Sequence, residues 1–162
     1  MNQEEEIQMT EALASKLMFF LKGNLDAVRL CLDLVFIAHL WDDLIDRDRE
    51  RSKEDINTAF RIALCDIPGN PFFFDHIGEF KTLIMNVILQ WQDANALETK
   101  PESDHDLHMA YMLRAGLIQI ISYCAYLIGG PEWIAQVGPD IRRLYEEPLN
   151  EYMKEMKKCQ IQ

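Results

Sequence analysis

Residues 109–128 read MAYMLRAGLIQIISYCAYLI, a run in which Arg114 is the only charge. An apolar helix of about 20 residues is long enough to cross a bilayer. Arg114, Gln119 and Ser122 oppose that placement, because charge inside hydrocarbon is costly. The run is therefore read as a buried central helix, and the rest of the chain must supply helices to cover it.

The segments on either side carry helix punctuation. Thr10 to Lys22 is amphipathic, and Gly23 suits the left-handed position just past a helix end. Asn24 can cap a second helix, which runs to about Asp48. Ser52, with Asp55 three residues on, opens a third that runs to about Cys65. DIPGNP is a turn, and Pro71 fits the first position of a fourth helix reaching about Glu98. After the loop TKPESD, Ser103 or Asp104 starts the central fifth helix, which ends at Gly129-Gly130. Pro131 starts a short sixth helix, stopped at Gly138. Pro139 starts a seventh, which Pro148 kinks or splits. No convincing strand alternation and no internal repeat is present. The expected fold is all-α: one domain over residues 1–162, a compact irregular bundle of six or seven helices, with residues 1–9 as a frayed tail.

The composition agrees. Of 162 residues, 49 % are apolar and 27 % charged, enough apolar side chains for a real core. A net charge of −11 argues against direct nucleic-acid binding, which needs a surplus of Lys and Arg. Cys31, Cys65, Cys124 and Cys159 are widely spaced and read as thiols of a reducing compartment. The N-terminus MNQEEEIQMTEALASK is acidic where a signal peptide is basic, so an intracellular, cytoplasmic protein without a membrane segment is expected.

The placement of the charge is more informative than its sum. Residues 39–50 read HLWDDLIDRDRE. At about 100° per residue, Asp42, Asp43, Asp46 and Glu50 all project within about 60° of His39, while Asp48 projects the other way. Like charges one turn apart repel, and acids at a helix C-terminus oppose the macrodipole. Arg47, Arg49 and Arg51 can compensate them as an ordinary solvated helix end. A hard divalent cation would also relieve the repulsion, since Mg²⁺ takes carboxylate, water and phosphate oxygens. That second reading assigns Asp42, Asp43 and Asp46 as Mg²⁺ ligands.

Two further features bear on this cluster. On the 71–98 helix, Glu79, Thr82, Asn86, Gln90 and Asp93 line a solvated face, while Ile84, Ile88 and Trp91 line the core face. Asn95 and Glu98 sit on that core face in the last turn, so they need partners or a cleft. Arg114 lies on an apolar face and needs a carboxylate, with Asp42, Asp43, Asp46 and Glu98 as candidates, or else an anionic ligand held bidentately. His39, Asn95, Glu98 and Arg114 are accordingly the candidate ligand-binding or supporting residues. His105-Asp106, with His76 and Asp140, superficially resembles a metal phosphohydrolase set, but acids are expected at a helix start. No phosphate-binding glycine loop, zinc spacing or nucleophile motif is present.

Asp42-Asp43-Leu44-Ile45-Asp46 resembles the first aspartate-rich motif of isoprenoid diphosphate synthases and class I terpene synthases. The resemblance implies an all-α enzyme whose aspartates hold Mg²⁺ and a prenyl diphosphate. It covers the motif and the helical class. The family's second metal motif is not matched, because stepping back from Glu98 meets Ala94 and Gln90. Asp43-x-x-Asp46 is also similar to one acid pair of all-α nucleotide pyrophosphatases; Asp93 and Glu98 stand at a different step from the second pair. LWDDLIDRD, GNPFF, WQDANALE and GGPEW resemble small helical proteins of phages and prophages, which implies no particular activity.

Two function classes follow. The first is a small helical protein with an acidic Mg²⁺ site that acts on a phosphorylated, diphosphate-containing small molecule as a hydrolase or transferase, with no general base assigned. The second is a non-catalytic acidic interaction protein that fits a basic cleft of a partner protein. Association with another chain or a second copy through the apolar fifth helix is a further option.

Overall fold

The structure is a computed structural model that describes residues 3–47 and 49–159. Among the described residues it is all-α, with eight helices and no strand. They are α1 (Gln3–Phe20), α2 (Leu25–Asp46), α3 (Lys53–Arg61), α4 (Pro71–Asp75), α5 (Ile77–Thr99), α6 (Asp104–Arg114), α7 (Gly116–Arg142) and α8 (Leu149–Cys159). A π-helical turn, Ile62–Asp66, continues α3 and closes with Ile67 N–H donating to Ile62 O at 2.9 Å.

The local signals at several helix ends work as their chemistry dictates. Asn24 caps α2, its Oδ1 accepting from Ala27 N–H at 3.0 Å. Ser52 and Asp55 form a reciprocal box: Asp55 N–H donates to Ser52 Oγ at 3.0 Å and Ser52 N–H to Asp55 Oδ2 at 3.1 Å. Asn70 is a buried polar residue with two tasks. Its Oδ1 caps α4 by accepting from Phe73 N–H at 3.1 Å, and its Nδ2 donates across the fold to Asp26 O at 2.9 Å. At the end of α1 the left-handed residue after the helix is Lys22 (φ 50°), one position before the expected Gly23, which is also left-handed (φ 75°). The bonds Gly23 N–H to Met18 O and Lys22 N–H to Phe19 O close that end as a Schellman turn. α2 stops at Asp46, with Arg47 left-handed beyond it. The expected end at Asp48, and that residue's placement on the opposite face, lie outside the described residues.

Several expected helices differ in extent. The first already begins at Gln3, ahead of Thr10 and inside the expected tail 1–9. The fourth divides at His76 (φ −124°, ψ 27°), which separates the short α4 from α5. The fifth, expected to run unbroken to Gly129-Gly130, divides at Ala115 into α6 and α7, bent by 41°. Gly116 stands at this break, where a Cβ would lie 3.0 Å from Val87 Cγ1 and 3.1 Å from Gln90 Oε1, so the start of α7 packs directly on side chains of α5. The expected end at Gly129-Gly130 and restart at Pro131 are present: the backbone departs from helix at Gly130 (φ 74°, ψ −174°) and resumes at Pro131. The expected stop at Gly138 is not, and the sixth and seventh run together past Gly138 and Pro139 to Arg142. Pro139 removes only one ladder bond, to Ala135, an exposed residue. Pro148 separates this segment from α8.

The buried side chains form two clusters. The larger gathers Leu17, Leu21, Leu30, Phe80, Ile120 and Ile141, so α7 is covered by α1, α2 and α5. The smaller joins Ala94, Leu107, Ala110 and Tyr152, with Tyr111, Met153 and Met156 around them. Ala94 and Ala110 let α5 and α6 approach closely. The central run of the sequence is thus shared: α7 belongs to the first cluster and α6 to the second. Among the described residues no single helix is long and apolar enough to cross a membrane, although α6 and α7 taken as a bent pair meet that length and composition.

Gly116→Val should cost roughly 1–3 kcal/mol through overpacking against Val87 and Gln90. Gly78, also helical, has open space where a Cβ would go, so Gly78→Ala should be neutral or stabilise by up to about 1 kcal/mol. Urea denaturation of the two variants measures both, and equal destabilisation would count against the close approach at Gly116.

Candidate functional site

Four helices meet at one guanidinium. Arg114 is the last residue of α6. Its Nη1 donates to Asp42 Oδ1 at 2.9 Å and its Nε to Glu98 Oε1 at 3.0 Å, while Nη2 pairs with Glu98 Oε2. Asp42 comes from α2 and Glu98 from the last turn of α5. From α8, the Tyr152 hydroxyl donates to Glu98 Oε1 at 2.7 Å. Trp91, two turns before Glu98 on α5, donates Nε1–H to Asp42 Oδ1 at 2.9 Å and packs its ring 5.1 Å from that of Trp41. The Arg114 and Glu98 side chains are only 18 % and 10 % exposed, whereas Asp42 is 44 % exposed.

The electrostatics follow from this packing. Burial works against the charge on Arg114. The hydrogen bonds and negative charge of Glu98, helped by Asp42 and Asp46, outweigh it and hold the guanidinium protonated more firmly than usual. Burial, followed by the bond to Glu98 and its charge, pushes the Tyr152 hydroxyl above the ordinary tyrosine range. That hydroxyl is a standing donor at any physiological pH.

Asp43 faces the α2–α3 connection, where Arg51 Nε and Nη2 bind its Oδ2; the Arg51 side chain is 7 % exposed. Asp46 is exposed in the final turn of α2, and His39 is exposed one turn earlier than Asp43. Asn95 Oδ1 is a buried acceptor with no hydrogen-bond partner among the described residues. So Asp42, Glu98 and Arg114 come together, Asp43 turns to Arg51, and the charge of Asp46 acts on Arg114. Among the described residues no three His, Cys, Asp or Glu side chains converge as a metal-ligand set. Asp42 Oδ1 accepts from the Arg114 guanidinium and the Trp91 indole, and Asp43 Oδ2 from the Arg51 guanidinium.

The His105-Asp106 pair is used locally. Asp106 Oδ2 accepts from Glu102 N–H at 2.7 Å and secures the start of α6. His76 packs against Phe72 and Phe80, and Asp140 pairs with Arg143.

Arg51 was among the arginines expected to compensate the cluster, and it pairs with Asp43; sequence reasoning missed Tyr152 and the bonding role of Trp91. Tyr152, Met153 and Met156 do form a short apolar stripe in a helix otherwise rich in Glu and Lys, which was the available signal for α8 docking. It also missed a polar cleft of about 600 Å³ between α2, the π-helical turn and the start of α4, lined by Asp26, Arg29, Asp33, Arg61 and Asp66 among others. Asp33 Oδ2 is buried there without a partner among the described residues. A shallower groove of about 440 Å³ lies between α5 and α7, lined by Gly78, Glu79, Thr82, Leu83 and Tyr123.

Against known protein families, curated proteins and solved structures, the chain finds no match.

Arg114→Ala leaves Glu98 buried and unpaired and should cost roughly 3–5 kcal/mol. Arg114→Met combined with Glu98→Leu should recover most of that loss in urea denaturation, because neither charge then remains in the interior. A double variant no more stable than Arg114→Ala would show that the clamp is not the source of the cost.

Asp33 gives a pH signature. Burial first, and the charge of Asp66 second, raise its pKa above the ordinary value, with Arg29 and Arg61 opposing. The folded value exceeds the unfolded one, so the native chain binds more protons within that interval. Stability therefore falls as pH rises from the ordinary aspartate range through the folded value. Asp33→Asn removes that slope. The urea midpoints of variant and wild type should differ most, in favour of the variant, near neutral pH and converge below about pH 4. A difference that does not change with pH would contradict the raised pKa.

Proposed function

We propose that the chain is a non-catalytic acidic interaction protein that docks on a basic surface of a partner protein. The observation that carries this reading is the commitment of Arg114. The group that would anchor a diphosphate already holds Glu98 through two nitrogens and Asp42 through a third. Asp43 is likewise engaged by Arg51. The aspartate cluster then serves the fold, and the outward-facing negative charge is left for recognition.

The α5–α7 groove offers the matching surface. Leu83 and Tyr123 give it an apolar floor, Glu79 edges it, and half-exposed Tyr126 stacks on Tyr123 with ring centroids 6.0 Å apart. Tyrosines of this kind are frequent anchors in protein interfaces. Glu79 would steer a cationic segment, and the apolar floor would hold its hydrophobic side chain.

A labelled amphipathic Lys/Leu peptide followed by fluorescence anisotropy tests the proposal. Binding should weaken at least tenfold between low and high salt, and again in Glu79→Lys and Tyr123→Ala. Absence of binding, or binding indifferent to both substitutions, would overturn it. The opposing Mg²⁺–diphosphate reading is checked in parallel by calorimetry with Mg²⁺ and inorganic diphosphate. We expect no saturable heat in either wild type or Asp43→Ala; a saturable heat lost in Asp43→Ala would restore the metal reading.

A further inference from the structure

Cys31 on α2 and Cys124 on α7 lie 93 residues apart in the chain, yet their Sγ atoms are 3.9 Å apart. Both side chains are buried, at 2 % and 0 % exposure, in the larger cluster. The contact joins the two helices that carry most of that cluster, and it places two oxidisable sulfurs within a bond-forming displacement of each other. We infer that Cys31 and Cys124 are a reversible redox cross-link between α2 and α7, closed by a peroxide-class oxidant and reopened by thiol reductants.

The chemistry balances with hydrogen peroxide alone. One Sγ attacks a peroxide oxygen, the O–O bond breaks, and one water leaves a sulfenic acid behind. The neighbouring Sγ then displaces the sulfenic hydroxyl, which departs as a second water while the S–S bond forms. Two electrons pass from the thiols to the peroxide, and both thiol protons end in water. The surroundings set the pace. The hydrogen bond to Cys124, followed by burial, pushes the Cys31 thiol well above its ordinary range, so little thiolate is present. The pair should respond to sustained oxidation and ignore brief exposure. Exposed Cys65 reacts independently of it.

Closing the bond would constrain a long loop containing α3 to α6. Cross-links across long loops restrict the unfolded chain most, although strain in the folded state can offset part of the gain. For a chain of this size the expected rise in Tm is about 10 °C.

The test uses the full chain carrying Cys65→Ser and Cys159→Ser, so that only the inferred pair remains. After exposure to hydrogen peroxide the protein is denatured, alkylated and weighed intact. The expected product is monomeric, 2 Da lighter and closed to alkylation. Dithiothreitol should restore two alkylation sites and the original Tm. Adding Cys31→Ser, or separately Cys124→Ala, should abolish the rise in Tm. The inference fails if the thiols remain alkylatable after prolonged exposure, if they proceed to sulfinic acid, if they join two chains, or if the 2 Da loss comes with no rise in Tm.

Discussion

A guanidinium withdrawn from water must find negative charge, and in this protein that demand organises one end of the bundle. Arg114 ends α6 at the point where the chain turns into α7. Its planar fork meets both oxygens of Glu98, a geometry that admits one relative placement of α5 and α6. Its third bond reaches Asp42 at the end of α2, and the tyrosine of α8 closes over the same glutamate. Without the arginine, Glu98 would be a buried charge with only a hydroxyl for company. Without Glu98, Arg114 would keep only the half-exposed Asp42 and lose its two-pronged partner. The arrangement need not be the most stable one available, since apolar residues of similar volume often replace such pairs without loss. What it supplies is a definite meeting point for four helices.

Two kinds of glue share the remaining work. The larger cluster is held by aliphatic and aromatic burial around Phe80, where Phe73 stacks at 5.8 Å and Tyr123 approaches edge-on at 6.3 Å. The smaller cluster is thin, with two alanines, a leucine and a tyrosine at its buried centre. It relies on the ionic clamp and on the tyrosines. Tyr111 lies 5.3 Å from both Tyr145 and Tyr152 and bonds to Glu147 O. Lys157 ties α8 to Asp104 at the start of α6. The charge cluster and the weaker core therefore occupy the same end of the molecule for a physical reason: little apolar surface is available there, so polar contacts carry more of the fold.

The helical class was legible because it is written in local signals. Asn24, Ser52 and Asp55 act within three residues of themselves, and no distant contact is needed to read them. The breaks at His76 and Ala115 were not legible. Gly116 at the second break packs on Val87 and Gln90, and that proximity exists only once α5 and α7 lie side by side. The run through Gly138 and Pro139 misled for the opposite reason. Residues that usually end helices were tolerated where a single bond is lost at an exposed residue. At the site, Glu98 and Arg114 announced themselves as charges on apolar faces, and Arg114 meets Asp42 and Glu98 from the set of candidates the sequence offered. A helical wheel could place Asp42 and Asp43 on one face, but it carried no information about which neighbours stood on either side. Arg51 beyond the helix end and Tyr152 far along the chain divide the stripe between them.

Asn70 has a consequence for the lifetime of the molecule. Its side chain caps α4 and binds Asp26 O, so hydrolysis of that one amide to an acid would disturb both contacts. Asparagine usually ages when the backbone nitrogen of the next residue attacks its side-chain carbonyl. Here the next residue is Pro71, whose ring nitrogen carries no hydrogen. The proline that starts the helix thus also blocks the principal chemical route by which the asparagine beside it would decay.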